Sequence, residues 1–588
     1  MRFLYLALIT FFYNFLSAQE IELPRFTTEQ EEQQLWLNGF DSPPQYGITN
    51  PPAKPVRTMA EWEELQALVI TWNGQSTILA EIVRAARLEC NVIICCASQQ
   101  VVDAAKTTLT QKNIDFSSKV DFVIVPNNSI WVRDYGPNCV YANDIDSLYL
   151  VDWVYNRPRP LDDVLPAKIA EHLGLPLYTT TVKPYDLVNT GGNFMSDGAG
   201  TAFASDLILN ENEPNNPYGV SAKTEAEINT VLKDFMGIER YIKMPKLPYD
   251  VIHHIDMHMK LLDEETLLVG QYPEGVSDGP QIEANIQYVL SNFQSTFGTP
   301  YKVARILMPP GSNGTYPSNN GPYRTYANAV FVNKTVLVPF YQQKYDSTAQ
   351  RIWEQTLPGY KIVGINCNSI IGSLGAIHCI TKEIGVVDPL RIVHQEIACQ
   401  NNSITQGGYS LAALIQHRSG IAEATVHYTT DPGAAWKTVS MQQGIVADDH
   451  WFAGIPPQPV GSTVYYYIEA KSVNGKVLTR PLTAPQGWWS FCVTQSSGVG
   501  EANSTSLLDI YPNPASSITA LPVSATIQVP GTIRLFNTLG QQVQTVFTGE
   551  FPAGESTYFI DAAQLTPGAY FVELKTSGQV VLKKLVVK

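Results

Sequence analysis

Between about residues 50 and 395, short apolar runs alternate with amphipathic stretches. Ala67–Trp72 reads as a strand, Thr77–Leu88 as a helix and Asn91–Ala97 as a second strand. Asp103–Lys112 then has helical spacing, and Val120–Pro126 returns to strand. Such alternation predicts an α/β domain. No strict sequence period runs through the region, although a pseudo-symmetric fold can hide one. After about residue 405 the pattern is β only: Ala424–Thr430, Trp436–Met441, His450–Gly454 and Ser462–Ala470 are strand-like runs parted by turn signals. That spacing predicts a sandwich of immunoglobulin type. A polar linker near Thr494–Thr505 leads to a final segment of short β runs ending in Val580–Lys588.

The two ends of the chain bear on its destination. Met1-Arg2, an apolar run from Phe3 to Leu16, and Ser17-Ala18 describe a cleavable signal over residues 1–18. The run is too short to span a bilayer comfortably, and no membrane span is expected elsewhere. The last segment carries Tyr511-Pro512-Asn513-Pro514, Leu535-Phe536-Asn537 and Gly568-Ala569-Tyr570-Phe571. It resembles the C-terminal sorting domain of the type IX secretion system, which implies a small β-sandwich, delivery to the cell surface, and the secretion machinery as a partner.

Composition narrows the function classes. Fifty-four acidic against 39 basic side chains give a formal charge of −15. This argues against a nucleic-acid binder, which needs basic surface to displace counterions from phosphates. The eight cysteines show no CxxC pair and no metal-ligand spacing. Export permits disulfides, but a chain of this size does not need them.

Four local features stand out together. They are Trp131-Val132-Arg133-Asp134-Tyr135-Gly136-Pro137, His253-His254-Ile255-Asp256-Met257-His258, Tyr326-Ala327-Asn328, and Gly372-Ser373-Leu374-Gly375-Ala376-Ile377-His378-Cys379. A cysteine, a histidine and two aspartates suit a flat cationic substrate. A guanidinium presents a fan of N–H donors that carboxylates meet in bidentate fashion. Two aspartates would orient and neutralise it, and a thiolate would attack its central carbon. The bound cation and an imidazolium would favour that thiolate. Histidine would protonate the departing ammonia and then activate water.

The ordered set Trp-x-Arg-Asp-x-Gly-Pro, Gly-Gly-Asn…Asp-Gly, His-x-Asp, Asn and Gly-x-Ile-His-Cys resembles the Porphyromonas-type peptidylarginine deiminases and the related agmatine deiminases. The resemblance covers roughly residues 50–395. It implies a pentein fold, a five-bladed α/β-propeller of ββαβ units. It also implies Cys379 as nucleophile, His254 as acid/base, Asp134 and Asp256 as the guanidinium carboxylates, Asn328 as a polar neighbour of the cysteine, and Trp131 as a wall of the slot for the aliphatic stem. No metal and no cofactor are implied: bacterial members work without calcium, and no calcium-loop motif is present. Val251 stands where the bacterial peptidylarginine enzyme has a tyrosine near the stem. The expected division is a signal over 1–18, an extension over 19–49, the deiminase domain over 50–400, an immunoglobulin-like domain over 401–497 and the sorting domain over 498–588.

Tyr155-Asn156-Arg157-Pro158-Arg159-Pro160 separates the two branches. Residues before proline favour extended backbone, in which i and i+2 face one side. Arg157 and Arg159 then form a cationic clamp, which agmatine could not use but the carboxylate of a peptide ending in arginine could. The segment looks like one in the bacterial peptidylarginine deiminases where two arginines hold that carboxylate. The expected function is therefore a secreted deiminase acting on arginine-containing peptides, with a small guanidino substrate such as agmatine or free arginine as the alternative. Other readings are a papain-like peptidase or transglutaminase, a non-catalytic adhesin, a metal site at His254, Asp256 and His258, a local Arg133–Asp134 ion pair, and surface pairing of Arg157 and Arg159 with Asp162 and Asp163.

Overall fold

The structure is a computed structural model that describes residues 22–40, 46–401, 408–444, 449–495, 505–516, 518–538, 540–576 and 579–588. The expected signal over residues 1–18 lies outside the described residues. The fold is mixed α/β up to about residue 393 and β thereafter.

Five separate sheets make up the α/β part, and they share one connectivity. In each, a short strand pairs antiparallel with a middle strand, and a helix then carries the chain to a third strand parallel to the middle one. Met195–Ser196, Thr201–Ser205 and Arg240–Met244 form one such sheet, with helix Glu225–Met236 as the crossover. The set Met259–Leu261, Thr266–Gln271 and Lys302–Leu307 is crossed by Gly279–Asn292. Val330–Val332, Thr335–Phe340 and Lys361–Asn366 are crossed by Gln343–Thr356. Asn138–Ala142, Leu148–Trp153 and Leu177–Thr180 carry an additional edge strand, Val56–Thr58. In the remaining sheet, Lys382–Gly385 from the end of the region pairs with Leu65–Thr71 from its beginning, so the first and last units are tied together.

The sequence pattern accounts for these elements. Strands inside a parallel sheet are covered on both faces and become continuous apolar runs; Val92, Ile93, Ile94, Cys95 and Cys96 are all buried. Helix Ser76–Ala86 buries Ile78, Leu79, Ile82, Val83 and Ala86, the single stripe that a 3.6-residue period places against a sheet. At roughly 1.5–3 kcal/mol for each large apolar side chain removed from water, this layer is a principal source of stability.

Beyond Arg391–Val393, Tyr409–Gln416, His450–Ile455 and Gln442–Gln443 form one sheet with that strand. A second sheet is built around Thr463–Ser472, Ile421–Thr429 and Trp489–Thr494, and both sheets contribute to one apolar core. A disulfide joins Cys399 to Cys492 beside the parallel pair Gln400–Asn401 and Trp489–Thr494. Export permits disulfides, and this one forms. The last module also has two sheets around its own core, and its Ile518 and Phe559 reach the large α/β core.

Candidate active site

Five short segments converge on one point, and each lies just ahead of the first antiparallel strand of a sheet. The helical turn Val132–Tyr135 holds Asp134 before Asn138–Ala142, and the turn Gly191–Asn193 precedes Met195–Ser196. His254 caps the turn Ile255–Met257, which holds Asp256 before Met259–Leu261. Asn328 precedes Val330–Val332, and the turn His378–Ile380 presents Cys379 before Lys382–Gly385. Repetition of one supersecondary unit therefore places residues up to 245 positions apart on the same site.

At that point sits a guanidinium belonging to the chain itself. Arg25 donates from Nε to Asp134 Oδ2 (2.8 Å) and from Nη2 to Asp134 Oδ1 (2.9 Å). It also donates from Nη1 to Asp256 Oδ1 and from Nη2 to Asp256 Oδ2, both at 3.1 Å. Two carboxylates thus take adjacent edges of one planar cation, meeting at Nη2, and each pairs in bidentate fashion. Cys379 Sγ lies 3.5 Å from Asp256 Oδ2, and the Asn328 amide donates to that sulfur at 3.1 Å. His254 Nδ1 stands 3.4 Å from Asp134 Oδ1, with its Nε2 at 3.0 Å from the Thr190 hydroxyl. Nη2 therefore shares one acceptor with the thiol and one with the imidazole. Gly192 leaves room for this nitrogen: a Cβ there would lie 1.8 Å from Nη2 and 2.8 Å from His254 Nδ1.

None of Arg25, Asp134, His254, Asp256, Asn328 and Cys379 is more than 2% exposed. Arg25 and its flanking residues form part of the cover over the thiol. Burial would raise the Asp134 carboxyl, but Arg25 and then His254 hold it well below the usual carboxylate range. Asp256 is lowered in the same way by Arg25 and His378. Burial pushes the Cys379 thiol well up, Arg25 draws it down, and Asp256 and Asp134 push it up again. Burial and Arg25 both lower His254. Burial thus works against the thiolate and the imidazolium alike. The bound cation is the leading influence that draws the sulfur towards ionisation.

Comparison with known proteins shows the family to which the chain belongs. The model of the Porphyromonas-type peptidyl-arginine deiminases matches residues 57–384, more than half of the chain. The chain belongs to that family. A Mycoplasma mycoides subsp. mycoides protein named "Putative agmatine deiminase" is 25% identical over 315 residues, covering 49% of this chain and 81% of its own. A solved structure bearing the same name superposes with a TM-score of 0.51 at 22% identity, over 58% of this chain and 99% of its own, which shows a common fold. The agmatine deiminase of Enterococcus faecalis is 22% identical with a TM-score of 0.48, over 57% and 99% of the two chains. The deiminase is accordingly a hydrolase of amidine C–N bonds. A secretion system C-terminal sorting domain matches residues 509–588, and the chain is exported to the cell surface.

A ring of ion pairs braces the deiminase site. His378 holds Asp256 Oδ2 at 2.9 Å through Nδ1 and Glu61 at 3.1 Å through Nε2, while Glu61 also pairs with Lys260. Arg133 pairs with Glu383 at 2.6 Å, so the local Arg133–Asp134 pair does not form. Glu61, His378 and Glu383 bring ligand-type atoms within 4.8 Å of one another, but Lys260 and Arg133 already neutralise the two carboxylates. His254, Asp256 and His258 do not lie on a strand: His253 has φ 59° and Ile255–Met257 is a tight turn, so the extended run is broken. His258 is buried with neither ring nitrogen partnered.

Trp131 donates its indole N–H to the Leu23 carbonyl at 2.9 Å, and its ring packs over Gly375 beside Cys379. Arg157 donates to the Arg25 carbonyl at 3.0 Å. Arg159 donates to the Pro24 and Phe26 carbonyls and pairs with the Glu31 carboxylate at 2.7 Å. Both arginines are buried, which overturns their pairing with aspartates on the surface. Val251 is 66% exposed. Sequence reasoning missed Arg25, His378, Glu61 and Thr190. Arg25 did leave a signal, as the sole basic residue between Arg2 and Lys54.

Proposed function

We propose that this protein is an exported peptidylarginine deiminase that converts arginine, preferably at the C-terminus of a peptide, to citrulline and ammonia. The observation that carries this reading is an arginine within a polypeptide held by Asp134 and Asp256 while Arg157 contacts its main-chain carbonyl. A C-terminal arginine offers a carboxylate oxygen at that carbonyl position. Agmatine offers no such group, and its free amine would meet two buried cations.

In the proposed reaction Asp134 and Asp256 fix the substrate plane, and Cys379 Sγ forms a bond to the central guanidinium carbon. The thiol proton is carried through His254 to the departing nitrogen, which leaves as ammonia. Water then attacks the amidino-cysteine, assisted by His254, and the C–S bond breaks to restore the thiol. Asn328 steadies the sulfur, Trp131 walls the slot, and no cofactor takes part. The shared connectivity of the five sheets supports reading them as the blades of a pentein propeller over residues 50–400. The two later pairs of sheets are read as an immunoglobulin-like sandwich over 401–497 and a small sorting sandwich over 498–588.

The names of the relatives favour a second reading, deimination of agmatine. A panel of peptides with C-terminal arginine, peptides with internal arginine, free arginine and agmatine separates the two by ureido product formed. The highest kcat/KM is expected for the peptide ending in arginine; faster turnover of agmatine overturns the proposal.

A further inference from the structure

The segment carrying Arg25 is seated as a ligand is. The carbonyls of Leu23, Pro24, Arg25 and Phe26 each accept a hydrogen bond from a side chain of the deiminase: Trp131, Arg159, Arg157 and Arg159 respectively. The Arg25 amide donates to the Ser373 carbonyl at 3.1 Å, nine residues before the start of the strand that follows the nucleophile's turn. Downstream, Thr28 and Glu31 form a capping box that starts helix Glu29–Asn38, and the capping carboxylate doubles as the partner of Arg159.

What the segment lacks is a core. Glu31 is the one buried residue of helix Glu29–Asn38, while Trp36 and Leu37 are 92% and 84% exposed. Phe26 packs against the large core, and the rest of the segment is held by polar contacts over residues 22–31, with the guanidinium pinned by two carboxylates as the strongest of them. The charge of Arg25 is the largest single offset to the cost of burying Asp134 and Asp256 beneath it, ahead of His254 and His378.

Building on the deiminase reading, we propose that Arg25 is the enzyme's first substrate, deiminated in cis, and that its loss of charge releases residues 22–38 from the site. Nη2 is the nitrogen placed to depart, since it shares acceptors with Cys379 and His254. A C–S bond forms at Cζ, the Cζ–Nη2 bond breaks, and ammonia leaves with the proton that the thiol gave up. Water, drawn from solvent, adds to Cζ, the C–S bond breaks, and the thiol regains a proton. The net change is guanidinium plus water to neutral ureido plus ammonium. The ureido group retains hydrogen-bonding capacity but no charge, so the two buried carboxylates lose their counter-ion and exchange the segment for water or an incoming arginine.

The test compares the full chain with its Cys379→Ala variant by peptide mapping across residues 22–38. Citrulline at position 25 is expected in the wild type and arginine in the variant. Limited proteolysis is expected to cut within 22–38 at least several-fold faster in the wild type. Active Arg25→Gln enzyme mixed with the Cys379→Ala chain should leave Arg25 of the latter unconverted, since the reaction is intramolecular. Arginine persisting at position 25 in a chain that deiminates an added peptide overturns the proposal and leaves the deiminase reading standing. Conversion of the Cys379→Ala chain in trans, or equal cutting of both chains, overturns it as well. A wild type that converts neither Arg25 nor any added arginine peptide overturns the deiminase reading itself.

Discussion

Gly192 shows how much of this site depends on an absent atom. A methyl group there would meet Arg25 Nη2 at 1.8 Å, His254 Nδ1 at 2.8 Å and Asp134 Oδ1 at 2.9 Å, so it would fill the guanidinium slot from below. Gly192→Ala should therefore lower kcat/KM for arginine peptides by about 10²-fold or more, the cost of a misplacement on the ångström scale. Circular dichroism should match the wild type; activity within a few-fold of the wild type would show that the slot lies elsewhere. A second residue gives a pH signature. Burial lowers the His258 pKa to about 4, against about 6.5 in an unfolded chain. Between those values the unfolded state binds the extra proton, so this contribution is complete above pH 6.5 and is lost as pH falls towards 4. His258→Leu, nearly equal in volume, should gain ~3 kcal/mol relative to the wild type between pH 7 and pH 4 in urea titrations. A difference that stays constant across that interval would mean that His258 binds its proton equally in the native and unfolded states.

Among the elements, the strands and crossover helices were legible because each buries a continuous run or a single stripe. Asn91–Cys96 and Val120–Ile124 end within two residues of their expected limits. The alternation of polar and apolar residues over His254–His258 fits a strand and a tight turn alike, and a positive φ at His253 decides between them. The ordered motifs pointed to the residues of the site because each sits in the turn ahead of a strand, where local chemistry dominates. Arg25 and the Cys399–Cys492 bond were not legible, since both depend on which distant segments the fold brings together. The disulfide closes a loop with a sequence separation of 93 and fastens the parallel edge Gln400–Asn401 to Trp489–Thr494. Replacing both cysteines by serine should destabilise that module by about 2–5 kcal/mol. Calorimetry should show its transition move down while deimination of a peptide is retained, because no residue of the guanidinium site lies in those strands. An unmoved transition would mean that the parallel pairing holds without the bond.

Across the whole molecule, the last module touches the deiminase region on surfaces that carry none of the site. Ile518 joins the large core and Phe559 packs against it, Tyr511 bonds Gln355, and Arg351 stands over the Tyr511 ring at 5.1 Å. Gln355 and Arg351 belong to the crossover helix Gln343–Thr356, whereas the site residues belong to turns ahead of the first strands. The contact is thus a resting place for the sorting domain and leaves the guanidinium slot untouched. A chain truncated before Thr505 should keep kcat/KM for arginine peptides within about twofold of the full chain, as expected for groups that are distant and share no partner. Its melting temperature should fall modestly, because Ile518 and Phe559 no longer cover the apolar side chains beneath them. Fractionation of expressing cells should find the truncated enzyme retained inside the outer membrane and the full chain at the surface. Loss of more than tenfold in activity from a chain that still melts cooperatively would instead make the sorting domain part of the working enzyme.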